Sequence, residues 1–150
     1  MDEFKFFKTF KERGEWIELR FMAEAMRHGY KVLKPWGDSQ PFDVAINFGN
    51  RIVRVQVKST TSRVGTGYRC EFKPNARSAP YSPEQVDIFA ACIIPENVWY
   101  LIPALVLMSG DHLQKAPMLC PMQPLKINRY LYEGYKEAWN GLRVRDKDRG

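Results

Sequence analysis

Two periods of apolar and polar residues alternate along the chain, and the points where the period changes divide it into elements. From Gly14 to His28, Trp16, Leu19, Phe21, Met22, Ala23, Ala25 and Met26 recur at helical spacing, and Gly29 follows as a C-terminal glycine. Tyr30 to Leu33 predicts a short strand, followed by a loop carrying Pro35, Gly37, Asp38, Ser39 and Pro41. Phe42 to Phe48 and Arg51 to Lys58 predict two strands joined by Gly49-Asn50, a dipeptide suited to a two-residue hairpin turn. The second strand places Val53, Val55 and Val57 on one face and Arg54, Gln56 and Lys58 on the other. A further strand is expected at Tyr68 to Phe72, and a capped short helix beginning at Ser82, Pro83 and Glu84. Strands at Ile88 to Ile94 and Val98 to Ile102 then turn at Glu96-Asn97.

Ile127, Tyr130, Leu131, Tyr135, Ala138 and Trp139 predict an amphipathic helix over about residues 126–141, packed in the core or at a subunit interface, before a charged tail at 143–150. No repeat or low-complexity linker interrupts the pattern, so residues 1–150 are expected to form one domain, with its core at about 14–105. Helix, strands, helix and more strands make an α/β or α+β domain.

Composition narrows the setting. A chain of 150 residues with 45% hydrophobic side chains buries roughly 68–70% of its unfolded surface, enough for an ordinary core. The apolar run from Val98 to Met108 is too short for a bilayer and contains Pro103, and the first residues lack a signal peptide's apolar stretch. Membrane insertion and secretion are therefore not expected. Cys70, Cys92 and Cys120 form an odd set without C-x-x-C spacing, which argues against a disulfide framework or structural zinc and for the cytoplasm. Cys92 is expected in the core. His28 and His112 lack partners at ligand spacing, and Gly65-Thr66-Gly67 lacks the rest of a nucleotide-binding loop.

The net charge is +6, and one segment holds all of it. Arg51, Arg54, Lys58, Arg63, Arg69, Lys73 and Arg77 lie in a stretch whose one acidic residue is Glu71. With Ser59, Thr60, Thr61, Ser62, Thr66 and Tyr68 between them, these residues suit a polyanion, such as double-stranded DNA, as well as they suit a solvated face. The contacts expected there are Arg54, Ser59, Thr60, Arg63, Arg69, Lys73 and Arg77, since a two-stranded ribbon fits the major groove.

The hairpin supplies candidate chemistry. A two-residue turn at Gly49-Asn50 sets Ile46 opposite Val53, Val44 opposite Val55 and Asp43 opposite Gln56, with Lys58 diagonal to Asp43. A carboxylate, an amide and an ammonium thus converge. Glu18 projects from the apolar arc of the first helix, between the directions of Met22 and Ala25, and an inward carboxylate needs a cation or a metal. A shared metal site and an ion pair with Lys58 both answer that need, and Glu15 lies on the same arc.

Gly14-x-x-x-Glu18, Pro41-Phe42-Asp43 and Gln56-Val57-Lys58, in that order, resemble the PD-(D/E)XK nuclease superfamily. Within it, the Q-x-K variant on a compact basic chain, with the later Asp87 and Trp99-Tyr100-Leu101-Ile102-Pro103, is similar to the cyanobacterial group I intron-encoded homing endonucleases. The resemblance implies a restriction-endonuclease-like α-β-β-β-α-β core, a mixed sheet flanked by helices. It further implies a catalytic set of Glu18, Asp43, Gln56 and Lys58, and a Mg²⁺ ion, replaceable by Mn²⁺, on Asp43, Gln56, the Val57 carbonyl and Glu18. The activity implied is a double-strand break at a long pseudo-palindromic target, made by a homo-oligomer, tetramer or dimer. Gln56 departs from the usual acidic residue, and an amide oxygen binds a hard cation more weakly than a carboxylate. A Holliday junction resolvase and a restriction-type endonuclease share the same chemistry, and a DNA-binding module with a decayed site is the non-enzymatic alternative.

Overall fold

The computed structural model describes residues 6–72, 84–109, 112–113, 118–122 and 132–143. Helix α1 spans Phe10–Arg27 and begins earlier than the apolar period predicts. The cap explains the difference: the Thr9 side chain accepts from the Glu12 N–H at 3.1 Å, while the Glu12 carboxylate accepts from the Lys8 N–H at 2.7 Å. At the other end the helix stops where expected. Gly29, at φ +85°, donates to the Met26 carbonyl, and Tyr30 donates to that of Ala25, the paired bonds of a Schellman motif. Ile17, Phe21 and Ala25 form the buried stripe, whereas Leu19 and Met26, counted among the apolar residues of the pattern, face solvent.

Strands β1 (Lys31–Leu33), β2 (Val44–Asn47), β3 (Ile52–Thr60), β6 (Ile88–Ile93) and β7 (Val98–Pro103) form a mixed sheet in the order β1-β2-β3-β6-β7. Strands β3 and β6 run parallel, and the other neighbours are antiparallel. The β2–β3 hairpin has the predicted register, with Val44 opposite Val55 and Ile46 opposite Val53. Its turn has positive φ at Gly49 only, as a type II′ turn requires. Strands β4 (Arg63–Val64) and β5 (Gly67–Arg69) form a small ribbon that β10 (Met118–Leu119) extends, and β8 (Met108–Ser109) pairs with β9 (His112–Leu113).

The sheet is packed on both faces. Ile17, Phe21 and Ala25 of α1 meet Val44, Ile46, Val53, Val55, Val57, Ile88 and Ala90 on one side. Tyr68, Cys70, Phe72, Val86 and Leu119 meet Phe89, Ala91, Ile93, Tyr100 and Ile102 on the other. All six residues of β6, between β3 and β7, are buried by the layers on both faces. Cys70, Cys92 and Cys120 are buried, and burial pushes the Cys70 and Cys92 thiols up to about 12, which keeps them neutral.

Two predicted helices differ from what forms. Glu84 and Gln85 make a turn rather than the first turn of a helix; Ser82 and Pro83 lie outside the described residues. The C-terminal segment is not a continuous amphipathic helix. Ile127, Tyr130 and Leu131 lie outside the described residues, Glu133–Tyr135 is one 3-10 turn, and Glu137 takes φ +52°. Backbone pairing with the sheet edge is the reason. Lys136 bridges to Tyr100, Glu137 donates to the Trp99 carbonyl at 2.7 Å, and the Trp99 N–H donates to the Glu137 carboxylate at 2.9 Å. Trp139 is 2% exposed and packs among Phe21 and Trp99, so it belongs to the core and not to a subunit interface. A short helix α2 (Ala104–Leu107) follows β7. No helix among the described residues is long and apolar enough to cross a membrane.

Candidate active site

The site is built where β2 ends beside the longer β3. One position beyond the Val44–Val55 pair, Asp43 donates its N–H to the Val55 carbonyl at 2.9 Å, and its Oδ2 accepts from the Val57 N–H at 2.9 Å. A strand residue turns its N–H and C=O to the same edge, so the Val57 carbonyl points past the end of β2, toward Asp43. Gln56 falls opposite Asp43 and Lys58 two residues further, on the face of β3 that carries Phe89 and Ala91 as neighbours in β6. Gln56 is 7% exposed, and among the described residues no hydrogen bond engages its side-chain amide.

Burial pushes the Asp43 carboxyl up to about 6. The Val57 N–H opposes the shift, the nearby Glu18 adds to it, and Lys58 and Lys34 oppose it. Burial also holds the Lys58 ammonium below the ordinary lysine value, while Asp43 works the other way. Asp43 is therefore the hub, felt by Glu18, Lys58 and Lys34.

Glu18 reaches this hub from α1, but its ion-pair partner is not Lys58. Lys34, just after β1, places Nζ 2.6 Å from Glu18 Oε2 and donates to the Asp43 carbonyl at 3.0 Å. The signal for Lys34 was the β1–β2 pairing, Leu33 opposite Ala45, which brings the next residue of the chain to the Asp43 end of β2. The apolar pattern predicts β1 without its partner strand, so it does not by itself bring Lys34 to the site. Glu15, Glu18, Lys34, Asp38 and Asp43 line a cleft of about 560 Å³.

The oxygen donors at this end of the hairpin are hard: a carboxylate, an amide oxygen and a main-chain carbonyl. That set fits Mg²⁺ or a similar hard cation. Among the described residues no three His, Cys, Asp or Glu side chains cluster as a ready-made metal site, so Asp43 would share a cation with neutral oxygens.

The basic residues divide. Arg63 and Arg69 are exposed on the β4–β5 ribbon. Arg54 is committed elsewhere: its Nε lies 3.0 Å and its Nη2 3.2 Å from the Asp87 carboxylate, and Nη1 donates to the Glu84 carbonyl. Thr60 is 4% exposed, and its hydroxyl donates to the Arg69 carbonyl while accepting from the Ser62 N–H, so it braces the ribbon instead of facing a ligand. Ser59 is half-buried at the end of β3, and Lys73 and Arg77 lie outside the described residues.

A mixed sheet with a helix on one face and a carboxylate, an amide and a lysine on neighbouring central strands is a PD-(D/E)XK-like domain. The family model described as PD-(D/E)XK endonuclease matches residues 8–118, and the chain belongs to that family. Among solved structures, it is similar to the bacterial homing endonuclease I-Ssp6803I, at 23% identity and a TM-score of 0.76, over 93% of this chain and 97% of that one. A Holliday junction resolvase, Hjc from Archaeoglobus fulgidus, aligns at 15% identity and a TM-score of 0.48, over 72% of this chain and 84% of that one. No curated protein sequence matches the chain.

Proposed function

We propose that the chain is a sequence-specific DNA endonuclease of the homing type, hydrolysing phosphodiester bonds with Mg²⁺ to break both strands of a long pseudo-palindromic target. The observation that carries this reading is the convergence of Asp43, Val57 and Lys58 at the end of the β2–β3 hairpin. The likeness in fold to a homing endonuclease over nearly the whole of both chains supports it.

Asp43, the Gln56 side-chain oxygen and the Val57 carbonyl would hold the cation, with Glu18 adding negative charge beside Asp43. When bound, Mg²⁺ there would offset charge on the reacting phosphate and on the departing oxygen. Lys58 orients the attacking water as an ammonium or, as the neutral amine that burial makes more accessible, takes its proton. Arg63 and Arg69 meet the DNA from the ribbon, with Ser59 at its base. Lys73 and Arg77 extend the same basic segment. A pseudo-palindrome calls for two-fold related subunits, so a homodimer or homotetramer is the acting species. The exposed Phe6 and Phe10 at the start of the structure suit such an assembly.

The test is incubation with Mg²⁺ and a randomised duplex library, followed by sequencing of the new ends, with a four-way junction alongside. Cuts recurring at one long sequence, and their loss in EDTA, are expected. Cutting of the junction alone would replace this reading with junction resolution. Binding without cleavage would leave a DNA-binding module.

A further inference from the structure

Trp36 is the most exposed large apolar side chain among the described residues, at 97%. A bare indole forgoes the burial that ordinarily holds a tryptophan, so its place in the fold matters. It sits in the loop after β1. Pro35, Gly37 and Asp38, on either side of it, line the cleft shared with Glu18 and Asp43, while the indole itself stands out from that rim into solvent. The loop is pinned at its start, where Lys34 Nζ lies 2.6 Å from Glu18 Oε2 and 3.0 Å from the Asp43 carbonyl oxygen. Pro35 fixes one backbone dihedral and Gly37 turns the chain at φ +69°, so the indole is presented by a stiff turn about 7 Å of chain or less from Lys34.

The sheet sets what lies beside it. Strands β1 and β3 are both antiparallel to β2 and therefore run the same way, so the loop after β1 and the β4–β5 ribbon after β3 leave from one end of the sheet. Asp43, just before β2, lies at that end too. A duplex that meets the exposed Arg63 and Arg69 through its backbone, and brings one phosphate to Asp43, passes the rim that carries Trp36. The cleft under that rim is lined by Glu15, Glu18, Asp38 and Asp43 against Lys11 and Lys34, an excess of carboxylates that repels further phosphates. Contact at the rim therefore falls to the bases, whose uncharged faces stack on an indole.

We propose that Trp36 is a DNA-contacting residue that inserts its indole at a base step beside the phosphate to be cut and unstacks that step. The inference rests on the endonuclease reading and deepens it, by assigning a base contact where the basic residues supply backbone contacts.

The test compares the wild type, Trp36→Ala and Trp36→Phe on the duplex recovered from the cleavage library. Affinity is read by anisotropy across a salt series with Ca²⁺ in place of Mg²⁺, and 2-aminopurine is placed in turn at the steps flanking the cut. Trp36→Ala is expected to bind about ten- to a hundredfold more weakly, with the salt slope unchanged because stacking releases no counterions. Its thermal midpoint and oligomeric state should match the wild type, and Trp36→Phe should keep most of the affinity. Binding of the wild type should change the 2-aminopurine emission at one step, and Trp36→Ala should not. Wild-type affinity in Trp36→Ala, or the same emission change with both proteins, would overturn the proposal while leaving the catalytic reading intact. Weaker binding accompanied by dissociation of the subunits would overturn it as well, because Trp36 would then belong to a contact between copies of the chain. If the wild type itself binds no duplex, the endonuclease reading fails and the proposal falls with it.

Discussion

The Val57 N–H donates to Asp43 Oδ2 at 2.9 Å, which ties the carboxylate to the strand that carries Gln56 and Lys58. That single bond does not offset the loss of water around the carboxyl, and burial raises its pKa from 3.8 to about 6. The folded chain thus holds this proton over a window from about pH 4 to about pH 6 in which the unfolded chain has released it. Stability contributed by this group is present at low pH and is lost as pH rises through that window.

Asp43→Asn removes the buried charge while keeping an oxygen for the Val57 N–H. In EDTA at pH 7.5 the variant is expected to be more stable than the wild type by on the order of 2 kcal/mol, and to lose the wild type's fall in stability between pH 4 and 6. Urea unfolding read by circular dichroism at a series of pH values measures both. A variant less stable than the wild type at pH 7.5 contradicts the charge argument.

Glu133 ties the C-terminal segment to the sheet. It is 3% exposed, accepts from the Tyr100 hydroxyl at 2.6 Å and accepts from the Cys120 N–H at 2.6 Å. Tyr100→Phe leaves Oε2 without its donor inside the protein, and should cost about 1–3 kcal/mol in urea unfolding. Glu133→Gln in the same background should recover part of that loss, because a neutral amide is cheaper to bury than an underbonded carboxylate.

The ribbon arginines and Arg54 should separate cleanly. Replacing Arg63 or Arg69 by Ala is expected to lower the slope of log affinity against log salt by about one for each phosphate left without its arginine, with unfolding midpoints unchanged. Arg54→Ala should instead lower the midpoint, since it removes the guanidinium from the Asp87 carboxylate and leaves the main-chain N–H as the one donor from this position. Fluorescence anisotropy across a salt series, paired with thermal unfolding, reads the two effects independently.

The hairpin, its register and the Asp43, Gln56, Lys58 face follow from alternation and one turn dipeptide, because strand period and turn geometry are local. The same locality explains what did not follow. Thr9 and Glu12 start α1 ahead of its apolar stripe, a capping signal that apolar spacing alone passes over. The aromatic spacing from Tyr130 to Trp139 is helical, yet Lys136 and Glu137 pair with Tyr100 and Trp99, so a distant strand edge overrides a local period. The helical period turns Glu18 inward, where it needs a cation; that the cation is Lys34 depends on the pairing of β1 with β2, which no short motif carries. Arg54 and Thr60 look like ligand contacts by type and place, and only their partners Asp87 and Arg69 assign them to the framework.

Lys58 carries the central claim, and its removal tests that claim most directly. Lys58→Ala and the wild type should be compared on the cleaved duplex under single-turnover conditions with Mg²⁺, and for affinity on the same duplex with Ca²⁺ in place of Mg²⁺. The account predicts a fall in cleavage rate of about 10²–10⁴ with affinity changed by less than about tenfold, on a variant that retains its fold by circular dichroism. Cleavage by Lys58→Ala at the wild-type rate would contradict the assignment of the reaction to this site.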